Sequence, residues 1–228
     1  MSDRNVRQRD LVPNEVLRNT NLIVVGAGAV GRQVTTLLAN MGAKKIHLVD
    51  SDVVSIENLA VQGYRPDQIG VSKVEANREL ENVNPGELTI NPIFQKFDRF
   101  LPVADDSMPL AIFSCVDNME SRSFIWKAGH EAKRYKDQFS FFVDGRIAAE
   151  HMEVYTWVKG DDRSRYEATI FPDVEAHPAS CTGRTTLYSS FVVAGMMVGE
   201  FVKWLRGQNS MVCREQSFNM LINHYTAS

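Results

Sequence analysis

Cysteine is scarce in this chain. Its 228 residues hold Cys115, Cys181 and Cys213, an odd number, widely spaced, with no C-x-x-C pair. That excludes a closed cysteine-rich zinc site, so no structural zinc is expected, and a reducing cytoplasm fits best. A dominant charge is lacking too. The formal net charge is -3, which implies neither a nucleic-acid nor a membrane partner. Long apolar runs are missing. The most apolar stretch, "FVVAGMMVG", is too short to span a bilayer and is followed by Glu200 and Lys203, so it reads as a buried helix. The opening "MSDRNVRQRD" has no apolar core of the kind a signal peptide needs. Neither an internal repeat nor a low-complexity linker occurs, and residues 1–228 read as one domain.

What is present is an alternation of strands and helices. Leu22 to Val25 form a buried strand, and Val30, Val34, Leu37, Leu38 and Met41 follow helix spacing up to a stop at Gly42. "KIHLVD" is the second strand, ending at Asp50, so a right-handed parallel unit is the default. "GVSKVEANRELENV" reads as a helix broken by Asn84-Pro85-Gly86. "LTINPIF" is a third strand weakened by Pro92, and "PLAIFSCVD" a fourth that ends at Asp117. "MESRSFIWKAGHEAKRY" is a helix and "FSFFVDG" the next strand.

"HMEVYTWV" then follows with no room for a helix before it, which suggests an antiparallel extension. A long polar stretch with Cys181 runs from 159 to 184; such loops are functional or partly disordered. "TLYSSFVVAGMMVGEFVKWLRG" is a helix closed by Gly207, and "SFNMLINHY" a terminal strand with Phe218, Met220 and Ile222 on one face. The fold class is therefore α/β: a Rossmann-like, mostly parallel sheet with an antiparallel C-terminal extension.

The turn Gly26-Ala-Gly28-Ala-Val-Gly31 lies between a strand and a helix, where backbone N–H groups approach phosphates. Asp50 ends the next strand, in position to accept hydrogen bonds from ribose hydroxyls. Those features alone fit NAD as well as ATP. The following residues separate the two. Asp52, Asn58, Gln62, Lys73, Asp117 and Asn118 all gather at the carboxyl edge of a parallel sheet. A dehydrogenase needs neither a lysine beside the phosphates nor a carboxylate for a metal. A triphosphate reaction needs both: Lys73 to neutralise phosphate charge and Asp117 to hold Mg²⁺.

Together "VVGAGAVGRQ", "KKIHLVDSDVVSIENLAVQ", "IGVSKVEA" and "CVDN" resemble the ThiF/MoeB/HesA family, the prokaryotic relatives of ubiquitin-activating enzymes. The resemblance implies a single ThiF-type adenylation domain, with residues 1–20 as an N-terminal arm. It implies Mg-ATP as the nucleotide and adenylation of the C-terminal carboxylate of a small ubiquitin-like or sulfur-carrier protein, or of a peptide. It implies that Asp50 holds the ribose, Asn58 and Lys73 the phosphates, and Asp117 the magnesium, with Asp52 in a supporting role. A symmetric homodimer is also implied. Two other readings stay open: a non-catalytic ATP-binding scaffold, and an NAD-dependent oxidoreductase.

The chain departs from the family at Val61, where N-L-x-R-Q would carry an arginine that helps bind the triphosphate. Arg65 and Arg32 are the nearby candidates to substitute for it, although each reads more readily as an ordinary surface or packing residue. In the arm, Arg7 and Arg9 resemble the arginine that reaches a partner's phosphates, or form a solvated basic face. Cys181, in "HPASCTGR", falls at the family's cysteine loop. It is either an incidental thiol or an acyl acceptor with a pKa lowered by Arg184 and His177. Cys115 reads as packing and His47 as a structural histidine. The aromatics of "FIW" and "YTW" sit at core spacing.

Overall fold

The computed structural model describes residues 4–97, 107–132, 137–172, 185–211, 213–220 and 224–228. Its strands are β1 (Asn21–Val25), β2 (Lys45–Asp50), β3 (Thr89–Phe94), β4 (Leu110–Ser114), β5 (Phe139–Ala148), β6 (His151–Val158), β7 (Glu215–Asn219) and β8 (His224–Ala227). They form one sheet in the order β3-β2-β1-β4-β5-β6-β7-β8. The first five are parallel and the last three are added antiparallel. Strand order reverses between β1 and β4, the switch point outside which open α/β sheets bind ligands.

The helices are α1 (Asn14–Arg18), α2 (Ala29–Met41), α3 (Asn58–Gln62), α4 (Lys73–Ala76), α5 (Met119–Glu131), α6 (Ser164–Glu167) and α7 (Leu187–Leu205). Alternate residues of β1 feed opposite layers. Leu22 and Val24 pack with Val34 and Leu38 of α2 and Val193 and Met197 of α7. Ile23 and Val25 pack with Ile125 and Trp126 of α5. A strand covered on both faces has no polar alternation, hence the unbroken apolar run "LIVV" after Asn21. Pro92 is tolerated because β3 is an edge strand.

Three elements differ from the periodicity. The helix read over 70–83 is a short α4 followed by a 3₁₀ turn, Asn77–Val83. The Asn77 side chain donates to the Lys73 carbonyl at 2.8 Å, competing with the helix's own ladder. β4 stops at Ser114, not Asp117, and the chain turns to the N-cap of α5 at Asn118. "SFNMLINHY" is not one strand. β7 ends at Asn219 and β8 folds back along it, although Phe218 and Met220 do face the core; Ile222 lies outside the described residues. Trp126 and Trp157 are buried as expected, but Phe124 is exposed. No helix among the described residues is long and apolar enough to cross a membrane.

Two glycines set the start of α2. Gly26 has φ +92°, and a Cβ there would press on the Cys115 carbonyl. A Cβ on Gly31 would fall inside the Gly26 carbonyl, so strand end and helix start touch backbone to backbone. Gly28 is different: it has φ -75°, and the nearest atom to an added Cβ is Gln62 Nε2 at 3.9 Å. Gly31→Ala is expected to lower stability by about 3 kcal/mol, the cost of overfilling a packed contact. Gly28→Ala should cost much less, about 1 kcal/mol at most, the preference of a helix N-cap for Gly over Ala. Equal urea midpoints for the two variants would contradict this packing.

His47 is buried in β2, with Nδ1 2.9 Å from Asn91 Nδ2. Burial, with Lys45 nearby, lowers its pKa from 6.5 to about 4. The unfolded chain therefore takes up a proton that the folded chain resists. This contribution is intact above pH 6.5 and is lost as pH falls toward 4, by up to about 3 kcal/mol. His130, lowered mainly by burial, acts in the same direction. Denaturant titrations across this range should show a shallower loss for His47→Gln than for the wild type; parallel curves would contradict it.

Candidate active site

The carboxyl edge of β1, β2 and β4 collects most of the residues singled out in the sequence. Asp50, at the end of β2, accepts from Ala27 N at 2.6 Å with Oδ2 and from Asp52 N at 2.7 Å with Oδ1. Burial raises its pKa, opposed by those two N–H bonds. The carboxylate is thus fixed against the glycine loop. Gly28 caps α2 without a side-chain hydrogen bond, and an added Cβ there would meet only Gln62 Nε2, at ordinary contact distance.

Lys73 begins α4 and is buried, yet its Nζ lies 2.9 Å from Asp52 Oδ2, whose side chain is largely exposed. Backbone pairing holds the two together: Lys73 N donates to Asp52 O at 2.9 Å and Val54 N to Val71 O at 2.8 Å. Tyr64, unnoticed in the sequence, ties this unit to the glycine loop. Its buried hydroxyl donates to Ala27 O at 2.6 Å and accepts from Asn77 Nδ2 at 2.9 Å. Asn58 starts α3, its Oδ1 accepting from Ser55 N at 2.9 Å. Gln62 ends α3; its Nε2 faces Gly28, and its buried Oε1 has no hydrogen-bond partner.

Asp117 is exposed. Asn118 caps α5, accepting from Ser121 N at 2.8 Å, and its Nδ2 donates to Asp117 Oδ1 at 3.1 Å. The Gly26 backbone rests on Cys115 and Val116, so the Asp117 turn adjoins the glycine loop. Among the described residues no group of three or more His, Cys, Asp or Glu side chains could hold a metal. A lone carboxylate beside the glycine loop is a donor that suits Mg²⁺, which is commonly held by one or two carboxylates plus phosphate oxygens and water.

The substitute arginines are engaged elsewhere. Arg32 is buried over the Tyr64 ring at 4.3 Å, donating to Gly63 O at 3.1 Å and pairing with Glu79 at 2.6 Å. Arg65 pairs with Asp67 at 3.0 Å and also with Glu79. Arg7 and Arg9 are exposed on an arm that packs at the far end of α2, where Gln8 Nε2 donates to Met41 O at 3.0 Å. α2 has 13 residues, which puts that end about 20 Å from Gly28. Cys181, Arg184 and His177 lie outside the described residues. Cys115 is buried, which drives its thiol pKa up. Cys213 is half-buried.

The sequence reading also passed over a buried ionic cluster behind Asp117: Arg122, Asp144 and Arg146. The signal was there. A charged residue in the apolar strand "FSFFVDG", followed two places on by an arginine, puts both on one face. Burial raises the Asp144 pKa, but Arg122 and Arg146 outweigh it and hold the carboxyl below its ordinary value.

Comparisons with known proteins bear on the family and the fold. Ubiquitin-like modifier-activating enzyme 5 of Caenorhabditis elegans is 36% identical over 129 residues, 51% of this chain and 30% of that protein. Its counterpart in Drosophila ananassae is 36% identical over 152 residues, 61% of this chain and 38% of that protein. The chain thus spans about a third of the length of these curated relatives. The crystal structure of E. coli MccB with ATP matches with a TM-score of 0.74 at 16% identity, covering 100% of this chain and 71% of that one. That of PaaA matches with a TM-score of 0.71 at 15% identity, covering 98% and 68%. At such identities the likeness shows the fold alone. The model of the ThiF family matches residues 3–226, and the chain belongs to that family.

Proposed function

We propose that this chain is a Mg-ATP-dependent adenylyltransferase that activates the C-terminal carboxylate of a small ubiquitin-like protein or peptide. The observation that carries the reading is the buried Lys73 ammonium, held by Asp52 and tied through Tyr64 to the glycine loop. A nicotinamide site has no use for a cation stored there. In the reaction, a carboxylate oxygen of the acceptor bonds to the α-phosphorus. The bond to the bridging oxygen breaks, and pyrophosphate leaves with that electron pair. The nucleophile is already ionised, so the site needs alignment and charge neutralisation, not a general base.

In this scheme Gly26, Gly28 and Gly31 shape the loop whose N–H groups face phosphate. Asp50 takes the ribose hydroxyls, Asn58 and Lys73 the phosphates, and Gln62 offers its unpartnered Oε1 to a nucleotide group. Asp117, steadied by Asn118, would hold Mg²⁺, which when bound supplies further neutralisation of phosphate charge. Val61 leaves one cation missing. Arg32 is sequestered and Arg65 is paired with acids, while the arm is remote from its own loop. Arg7 or Arg9 would therefore serve a second copy. The apolar outer face of α7, with exposed Tyr188, Phe191, Gly195 and Gly199, supports a homodimer.

Pyrophosphate exchange, with a small ubiquitin-fold protein ending in Gly-Gly as acceptor, tests the reading. Asp117→Ala should fold normally and lose about 100-fold or more in exchange rate. Exchange at the wild-type rate would overturn the role of Asp117; ATP binding without any exchange by the wild type would overturn adenylation. Cys181→Ser should keep exchange and lose any thiol-sensitive adduct with the acceptor. An adduct that persists would make that cysteine incidental.

A further inference from the structure

Asp144 has no solvent exposure. It lies on β5 in register with Ser114 of β4, on the face turned toward α5. Its Oδ1 accepts from Arg122 Nη1, on the first turn of α5. Its Oδ2 accepts from Arg146 Nε at 2.8 Å and from the Tyr166 hydroxyl at 3.2 Å. Each arginine then grips backbone. Arg122 donates through Nη1 to Gly145 O at 3.3 Å and through Nη2 to Val116 O, the carbonyl just before Asp117. Arg146 donates to Thr169 O at 3.0 Å and to Thr169 Oγ1 at 2.9 Å, with its guanidinium 4.3 Å from the centre of the Tyr155 ring.

We infer that Asp144 is a positioning residue for Asp117: through Arg122 it fixes the Val116–Asp117 turn, and through Arg146 it ties that turn to the Tyr166–Thr169 segment. This rests on the adenylation reading, in which Asp117 faces the metal. The geometry is specific to the pair of arginines. A guanidinium presents its donors in a rigid fork, so locking one edge on a carboxylate fixes where the other edge points. A lysine at position 122 would carry the same charge but could not hold Asp144 and the Val116 carbonyl in the same planar arrangement. The carboxylate, for its part, tolerates complete burial because it has a cation on each oxygen. Removing it leaves two guanidinium groups without their counter-charge, so Arg122→Lys, which keeps the charges balanced as they are, is the cleaner variant.

The test combines two readouts on Arg122→Lys, with Asp144→Asn beside it wherever that variant folds. Calorimetric ATP binding is measured with magnesium and with chelator, and hydrogen exchange is followed over residues 115–121. ATP affinity in chelator should match the wild type, because Arg122 bonds to Asp144, Gly145 and Val116 and to no group of the glycine loop. The gain in affinity on adding magnesium should shrink by about tenfold, as when a residue supporting a metal ligand is changed, and exchange over 115–121 should quicken. A wild-type magnesium gain in folded Arg122→Lys overturns the inference. So does an equal loss of affinity with and without magnesium, which would mark a merely structural role. If the wild type itself gains nothing from magnesium, the adenylation reading fails; the clamp is then judged by exchange alone, and unchanged protection over 115–121 overturns it.

Discussion

A backbone contact with no room for a side chain underlies this site. The Gly31 Cα lies so close to the Gly26 carbonyl that α2 begins directly on the end of β1. That placement turns Ala27 N toward Asp50 and Ala27 O toward Tyr64. Tyr64 in turn accepts from Asn77, whose amide also holds the Lys73 carbonyl. The glycine loop, the Asp50 carboxylate and the buried lysine are therefore three ends of one hydrogen-bonded frame. Burying Tyr64 drives its phenol pKa up, opposed by the nearby Arg32 charge. The hydroxyl stays a donor, as the bond to Ala27 O requires.

Charge around the frame is arranged so that buried ions are paired. Arg32 is committed to Glu79 and Gly63, and Arg122 and Arg146 to Asp144. A buried charge without a partner costs several kcal/mol, so these arginines are not free to serve a ligand. Lys73 is the exception in kind. Its partner Asp52 is largely exposed, and an ammonium held by a solvated carboxylate exchanges partners far more cheaply than one enclosed in a dry cluster.

The parallel core was legible because strands covered on both faces read as apolar runs and α2 repeats at helical spacing up to Gly42. The antiparallel turn after β5 was legible from chain length alone: no helix fits between Ala148 and His151. The break at Asn77 was not legible, since a side chain competing for a backbone carbonyl leaves the hydrophobic pattern unchanged. The fold-back after Asn219 was masked for a similar reason, because Phe218 and Met220 keep the alternation of a single strand. At the site, residues next to turns and motif glycines stood out: Asp50, Asp52, Lys73 and Asp117. Tyr64 and Arg122 did not, because the groups they join, Ala27 and Asp144, are remote in sequence and only the fold brings them together; Asp144, a carboxylate in an apolar strand two places before Arg146, was legible but passed over.

The proposed role of this edge is to take a triphosphate and a metal. Calorimetric titration with Mg-ATP and, separately, with NAD tests it most directly. The account predicts ATP binding that weakens when magnesium is chelated, and weaker binding of NAD. Tighter binding of NAD than of Mg-ATP would contradict it.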